Sequence, residues 1–281
     1  EEEKQVLRSV LDEDEIKRLE EMLKRRANQE ILANLKKPLG HALKKRTLLE
    51  TAVGVNVVDE NLMVAFPGFV EEWRFTTAGS GFITFHVARP HDPNDISMPT
   101  FTFDLVGQTK LMAESAGTFH HAIEPKQQIL VMPGDILGFR LEAANVMSYD
   151  PDGPGYVRVS GPSPELLPND RAEYPLAQNR TYPFQAKIQA VAVLWSELEC
   201  RGLMFVASED NVDLCNVQWL KAGGPVNDNS KSVLVPGGYL VRGYNHCGQT
   251  GELLVEVDLR QVPESQCHSV PPSVSHLTMV R

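Results

Sequence analysis

The chain carries none of the signatures that name a reaction. It has no G-x-S-x-G, no H-E-x-x-H, no Walker loop and no complete G-x-G-x-x-G. Gly79-Ser80-Gly81 comes nearest and reads as a turn before a strand, with nothing helical after it. No run of about 18 or more apolar residues exists, which excludes a membrane-spanning helix. Cysteine is absent from the first 199 residues. Basic charge is scarce after the first 50 residues. Those 50 hold 12 Lys+Arg and 11 Asp+Glu, the remaining 231 hold 15 and 26, and the whole chain carries −10. So acidic a region argues against nucleic acid as a partner and is compatible with cation binding or plain solubility. No secretory leader is visible at Glu1-Glu2-Glu3-Lys4, which fits either a cytosolic protein or a mature chain whose leader has been removed.

What is present points to a folded chain of more than one domain. A length of 281 residues with 42% apolar and 23% charged residues suits two domains of ordinary size plus an arm. All four cysteines, Cys200, Cys215, Cys247 and Cys267, fall in the last third. An even count confined to one loop-rich region suggests two disulfides in an oxidising compartment. Four buried thiols are the competing reading; zinc is disfavoured, because no C-x-x-C pair occurs and the spacings are 15, 32 and 20. Cys200 and Cys215 flank one strand and a turn, and Cys247 and Cys267 bracket the last long strand, so the expected bridges are Cys200–Cys215 and Cys247–Cys267. One sequon, Asn179-Arg180-Thr181, lies in a polar stretch where a glycan is tolerated. Together these features suggest a secreted protein.

Residues 9–37 read as a helix, with Asp12 and Glu15 at capping-box spacing and Ile16, Leu19, Leu23, Ala27, Ile31 and Leu35 on one face. The pairs Glu13 to Lys17 and Glu20 to Lys24 support it, and Pro38 and Gly40 end it. A further short helical piece is expected over 41–50, where Lys44-Lys45-Arg46 reads as a solvated face, with a processing site or an anion patch as the alternatives. From about 51 to 160 the period changes to that of strands: Phe69 to Phe75, Gly81 to Pro90 and Thr100 to Gly107 alternate or run apolar between turn residues. Residues 161–182 read as a linker rich in Pro and Gly. A second β-region over 183–270 carries all four cysteines, and 271–281 reads as a tail. Ile129 to Phe139 and Ser232 to Val241 each read strand, Pro-Gly turn, strand, which suggests a degenerate repeat. The expected fold is mainly β with an N-terminal α-helical arm over 1–50 and two antiparallel β-sandwich, jelly-roll-like domains.

The first β-region resembles a domain type that recurs in secreted and cell-surface proteins of marine invertebrates. The resemblance rests on Glu72-Trp73-Arg74-Phe75, Gly81-Phe82-Ile83, Val87-Ala88-Arg89-Pro90, Leu105-Val106-Gly107-Gln108-Thr109, Val131 to Phe139 and Ser148-Tyr149-Asp150, about a third of the chain. It implies an extracellular β-sandwich module of the structural or binding kind, with no catalytic residues.

Three constellations are chemically suggestive. His86, His91, His120 and His121 cluster in the first β-region and with Asp92 or Asp95 could hold zinc, although exposed or core-satisfied histidines are the commoner case for such a pattern. The loops His91-Asp92-Pro93-Asn94-Asp95 and Asp150-Pro151-Asp152-Gly153 offer oxygen ligands for calcium, while turn chemistry alone accounts for their Asp and Asn. Trp219, Tyr244 and Asn245 are candidates for an aromatic sugar platform, against which a Trp flanked by apolar residues is usually core. No cofactor is expected beyond a possible calcium ion. The leading functional expectation is a secreted, non-enzymatic structural or adhesive subunit forming homo-oligomers or assemblies with related extracellular subunits through its helical arm and β-faces. A lectin-like glycan binder is the alternative and a metal-dependent hydrolase a distant third.

Overall fold

A computed structural model of the chain describes residues 37–91, 101–151, 157–160, 165–174, 176–207, 211–214, 229–246, 251–271 and 273–280, together with residues 24, 29, 33 and 226. Strand makes up 55% of the structure, and no helix among the described residues reaches seven residues, so the fold is mainly β and the helical arm does not belong to it. Most of the stretch 9–37 lies outside the described residues. An amphipathic stripe does not by itself stabilise a helix, which is marginal in water until a partner surface covers it. The short helix expected over 41–50 is replaced by an extended segment: Leu48–Leu49 pairs with Ser148–Tyr149.

The first β-unit is two antiparallel sheets. One runs Leu39–Gly40, Phe184–Ala190, Gly68–Thr77 and Gly117–Ala122 in spatial order, with Ile129–Val131 also pairing to Gly68–Thr77. The other has seven strands in the order Arg171–Tyr174, Phe101–Ala113, Gly81–Pro90, Ile136–Leu141, Asn56–Met63, Val157–Val159 and Leu176–Gln178. Alternation explains the sandwich. Ile83, Phe85 and Val87 turn to one side of their strand and are wholly buried, and across from them lie Trp73, Phe75 and Phe184 of the first sheet. Trp73 stacks on Phe85 at 5.1 Å, and Phe139 meets Phe184 edge-on at 5.5 Å. The stretch 161–182, read as a linker from its Pro and Gly, instead supplies the strands Arg171–Tyr174 and Leu176–Gln178, and the strand Phe184–Ala190 still belongs to the first unit.

The second β-unit begins at Ala192 and is built from two four-stranded sheets. The first runs Met204–Ala207, Ala192–Trp195, Ser232–Val235, Gln266–Ser269; the second runs Asn211–Asp213, His276–Val280, Leu240–Tyr244, Leu253–Asp258. In chain order the eight strands form two sets of four, and the third strand of each set sits in the other set's sheet. Leu194, Val233, Val241, Val257 and Leu277 fill the space between the sheets.

Both Pro-Gly phrases do the same job, which is not that of a hairpin. Ile129–Val131 and Ile136–Leu141 lie in different sheets, as do Ser232–Val235 and Leu240–Tyr244. Each turn carries the chain across the sandwich, and each uses a glycine of positive φ to do so: Gly134 at 93° and Gly238 at 84°.

The cysteine pairing differs from the expectation. Cys200 is bonded to Cys267, with Cα atoms 6.0 Å apart, so neither Cys200–Cys215 nor Cys247–Cys267 forms. Cys215 and Cys247 lie outside the described residues. The exchanged strand explains the difference, because Gln266–Ser269 runs beside Ser232–Val235 with Cys267 opposite Leu234. The turn Leu198–Cys200 is fastened to the same place, since Cys200 N–H donates to Ser232 Oγ at 3.0 Å.

Candidate functional site

The two β-units touch through Ser265 Oγ, which donates to the Ala65 carbonyl at 3.1 Å, and through Val191 N–H, which donates to Pro67 O at 3.0 Å. A groove of about 890 Å³ lies between them. From the first unit it takes Arg89, Gln108 and the segment Lys126–Gln128; from the second it takes Trp195, Cys200 and Met204.

Each wall is held in place by local chemistry. Arg89, at the end of the strand Gly81–Pro90, clamps Asp135 with Nε at 2.7 Å and Nη2 at 2.9 Å. Asp135 is 1% exposed and also accepts the Met132 N–H at 2.8 Å, so the Pro-Gly turn and the arginine fix each other. The bond to Asp135 raises the Arg89 pKa above its already high value, and the guanidinium stays charged. Lys126 lies in the short 3-10 turn Pro125–Gln127, exposed and with no ion pair among the described residues. Trp195 closes its strand opposite Met204 and is followed by a turn in which Leu203 N–H donates to Ser196 Oγ at 2.8 Å. The Trp195 indole N–H is buried and has no partner among the described residues. The disulfide fixes Cys200 at the groove wall, in a turn where Glu199 and Cys200 adopt φ of 58° and 54°.

The described lining contains no Asp, Glu or His, and its one cysteine is oxidised. Ser265, its one hydroxyl, is already spent on a backbone carbonyl. The groove therefore offers an aromatic face, amides and cations, which bind and orient a ligand; it offers no nucleophile with a base beside it.

The residues singled out in the sequence fall elsewhere. His86 is 2% exposed on the outer face of the seven-stranded sheet, and burial, with a smaller contribution from Arg140, pushes its pKa down to about 3. It is a neutral core histidine, packed where Gly138 has no side chain. His91 joins a surface cluster instead, with Nδ1 at 3.1 Å from Asp104 Oδ2 and 2.8 Å from Arg171 Nη2. Asp92, Asp95 and Asp152 lie outside the described residues. Asp150 binds Arg46 Nη1 at 2.8 Å and the Thr47 N–H at 3.1 Å; the Arg46 guanidinium holds its carboxyl below the usual range. Among the described residues no three His, Cys, Asp or Glu converge to hold a metal ion.

Trp219 is outside the described residues. Tyr244 is half-buried against the His276 ring at 6.1 Å, and Asn245 Oδ1 accepts the Glu252 N–H at 2.8 Å, so neither lines the groove. Asn179 is exposed, just after the strand Leu176–Gln178. The run Ala190-Val191-Ala192-Val193-Leu194-Trp195 makes Trp195 look like a strand residue of the same kind as Trp73. The signal that separates them is position: Trp73 sits mid-strand and Trp195 at a strand end, before the polar Ser196-Glu197.

Comparison with known protein families finds none that matches the chain, and comparison with curated proteins also finds none. Among solved structures, the N-terminal domain of protein S is similar at 20% identity over 32% of this chain and 96% of its own, with a TM-score of 0.25. A mutant of a betagamma-crystallin domain from Clostridium beijerinckii is similar at 17% identity over 32% of this chain and 99% of its own, with a TM-score of 0.23. Likenesses at this level leave the chain's function to its own geometry, and neither bears on the invertebrate domain type.

Proposed function

We propose that this chain is an extracellular, non-enzymatic carbohydrate-binding protein whose ligand lies in the groove between its two β-units. The observation that carries this reading is Trp195: an aromatic side chain at the wall of a groove of about 890 Å³, beside the amides of Gln108, Gln127 and Gln128. A sugar ring offers C–H faces to an indole and hydroxyls to amides, and a groove of this size takes a short oligosaccharide. The extracellular assignment is supported by the Cys200–Cys267 disulfide and the exposed Asn179 sequon. A glycan array tests the function. Reproducible binding that Trp195→Ala removes supports it, and an array without binding rejects it.

A second reading, a structural or adhesive subunit, is favoured by one strand. Gly117–Ala122 pairs only with Gly68–Thr77 among the described residues and is exposed along its free edge. Ile123 N–H donates to Glu71 O, so by antiparallel alternation the backbone groups of Thr118, His120 and Ala122 point outward, open to a strand of another chain. Light scattering checks this: concentration-dependent association that His120→Pro lowers supports it, and a chain that stays monomeric rejects it.

A further inference from the structure

Charge in this molecule is distributed against the grain at the groove. The chain carries −10, yet the described lining of the groove holds Arg89 and Lys126 and no acid at all. The other inter-unit cleft, of about 630 Å³, is different: its Lys187 is paired with Glu71 and its Arg260 with Asp258 at 2.7 Å. In the groove only Arg89 has an acidic partner, and Asp135 takes its Nε and Nη2, leaving the Nη1 donors over. Lys126 has no ion pair among the described residues. The Trp195 N–H is buried and has no acceptor among the described residues. Beside that N–H and the amides, which both donate and accept, the unspent groups of the described lining are cationic and no carboxylate stands among them. A neutral sugar would use the indole face and the amides and leave Lys126 idle.

We infer that the groove takes an acidic saccharide, one whose carboxylate or sulfate oxygens meet Lys126 and the free Arg89 donors; this deepens, and rests on, the carbohydrate reading above. The indole face stacks on a sugar ring, and the amides of Gln108 and Gln127 take its hydroxyls. The anionic group lies toward Lys126, whose charge attracts it. Affinity falls as salt is raised, because Lys126 is solvent-exposed and screened.

Three tetrasaccharides separate the possibilities by calorimetry on the full chain: neutral chitotetraose, unsulfated chondroitin as the carboxylate probe, and chondroitin sulfate. One or both acidic sugars bind, and the stronger of the two identifies carboxylate or sulfate as the group that is read. Lys126→Gln, a surface change that leaves the core untouched, weakens that binding about tenfold and flattens its salt dependence. Trp195→Ala removes the face on which the sugar ring stacks, for a loss of about tenfold. Chitotetraose binding as tightly as the acidic sugars overturns the acidic preference while the carbohydrate reading stands. No binding by any of the three, where the array does show neutral glycans bound, overturns this inference alone; no binding on the array either overturns both. Acidic binding unaffected by Lys126→Gln and Trp195→Ala puts the sugar elsewhere and also overturns the inference.

Discussion

The two β-units of this chain close their sandwiches with different materials. In the first, Trp73, Phe75, Phe85, Phe139, Tyr182 and Phe184 meet between the sheets, and no cysteine is present in its sequence. In the second, Leu194, Val233, Val241 and Leu277 meet instead; not one fully buried aromatic is found there among the described residues, and a disulfide spans the unit. Aromatic side chains bury the most area per residue, so a larger unit can close on packing alone, whereas a small aliphatic core gains from a covalent staple. The comparison also places the binding groove. Its first-unit wall is stiffened by the Arg89–Asp135 clamp and its second-unit wall by the Cys200–Cys267 bond.

The contrast can be broken most sharply at Trp73. Trp73→Ala removes a fully buried ring stacked on Phe85 and should cost the first unit about 5 kcal/mol. Hydrogen exchange read by mass spectrometry should show protection lost through residues 56–190 and retained in 192–280. Next comes the staple. Cys267→Ser opens a bridge with a sequence separation of 67, worth about 4 kcal/mol in the chain-entropy account, and the same experiment should show the loss in the second unit only. Equal losses in both units would mean that they unfold as one body and that the contrast has no energetic meaning.

A third experiment uses the arginine clamp. Asp135→Ala removes a buried carboxylate that accepts from half-exposed Arg89 and from the Met132 N–H, for about 2 kcal/mol on urea unfolding, because those charge-assisted bonds are lost while water can re-solvate the arginine. The last test, whose effect is nil at neutral pH, is the acid response of His86. It is neutral when folded, with its pKa pushed down to about 3, and takes up a proton near 6.5 when unfolded. Its contribution is therefore complete above pH 6.5 and is lost as pH falls from there toward 3. Urea midpoints measured across that window should fall less steeply in His86→Leu than in the parent chain.

How much of this was legible depends on whether a feature is local. The strands Gly68–Thr77 and Gly81–Pro90 announce themselves by alternation, and Pro133-Gly134 and Pro236-Gly237 mark real turns. What those turns connect is not local: a Pro-Gly turn looks the same whether the next strand pairs with the last or crosses to the facing sheet. Cys200 and Cys267 are partners because Gln266–Ser269 is exchanged into the sheet of Ser232–Val235, and spacing along the chain favours nearer neighbours instead. The strands Arg171–Tyr174 and Leu176–Gln178 are hidden because they are short and polar, and their neighbours in the seven-stranded sheet define them more than their own residues do. The stripe at Ile16 to Leu35 is the reverse case, a strong local pattern whose residues lie outside the described ones. The candidate site was least legible of all, since Arg89, Lys126 and Trp195 are far apart in sequence, and the first two share a groove with Trp195 only because two separate units come together.

The exchanged strands of the second unit have a consequence for what happens when the chain is cut. Neither set of four strands owns a complete sheet, and the disulfide joins Cys200 of one set to Cys267 of the other. A protease that nicked the crossing at Gly237-Gly238 would therefore release nothing. The two fragments would stay threaded through each other's sheets and tied by one covalent bond, a two-chain protein with its groove wall intact, until a reductant reached it.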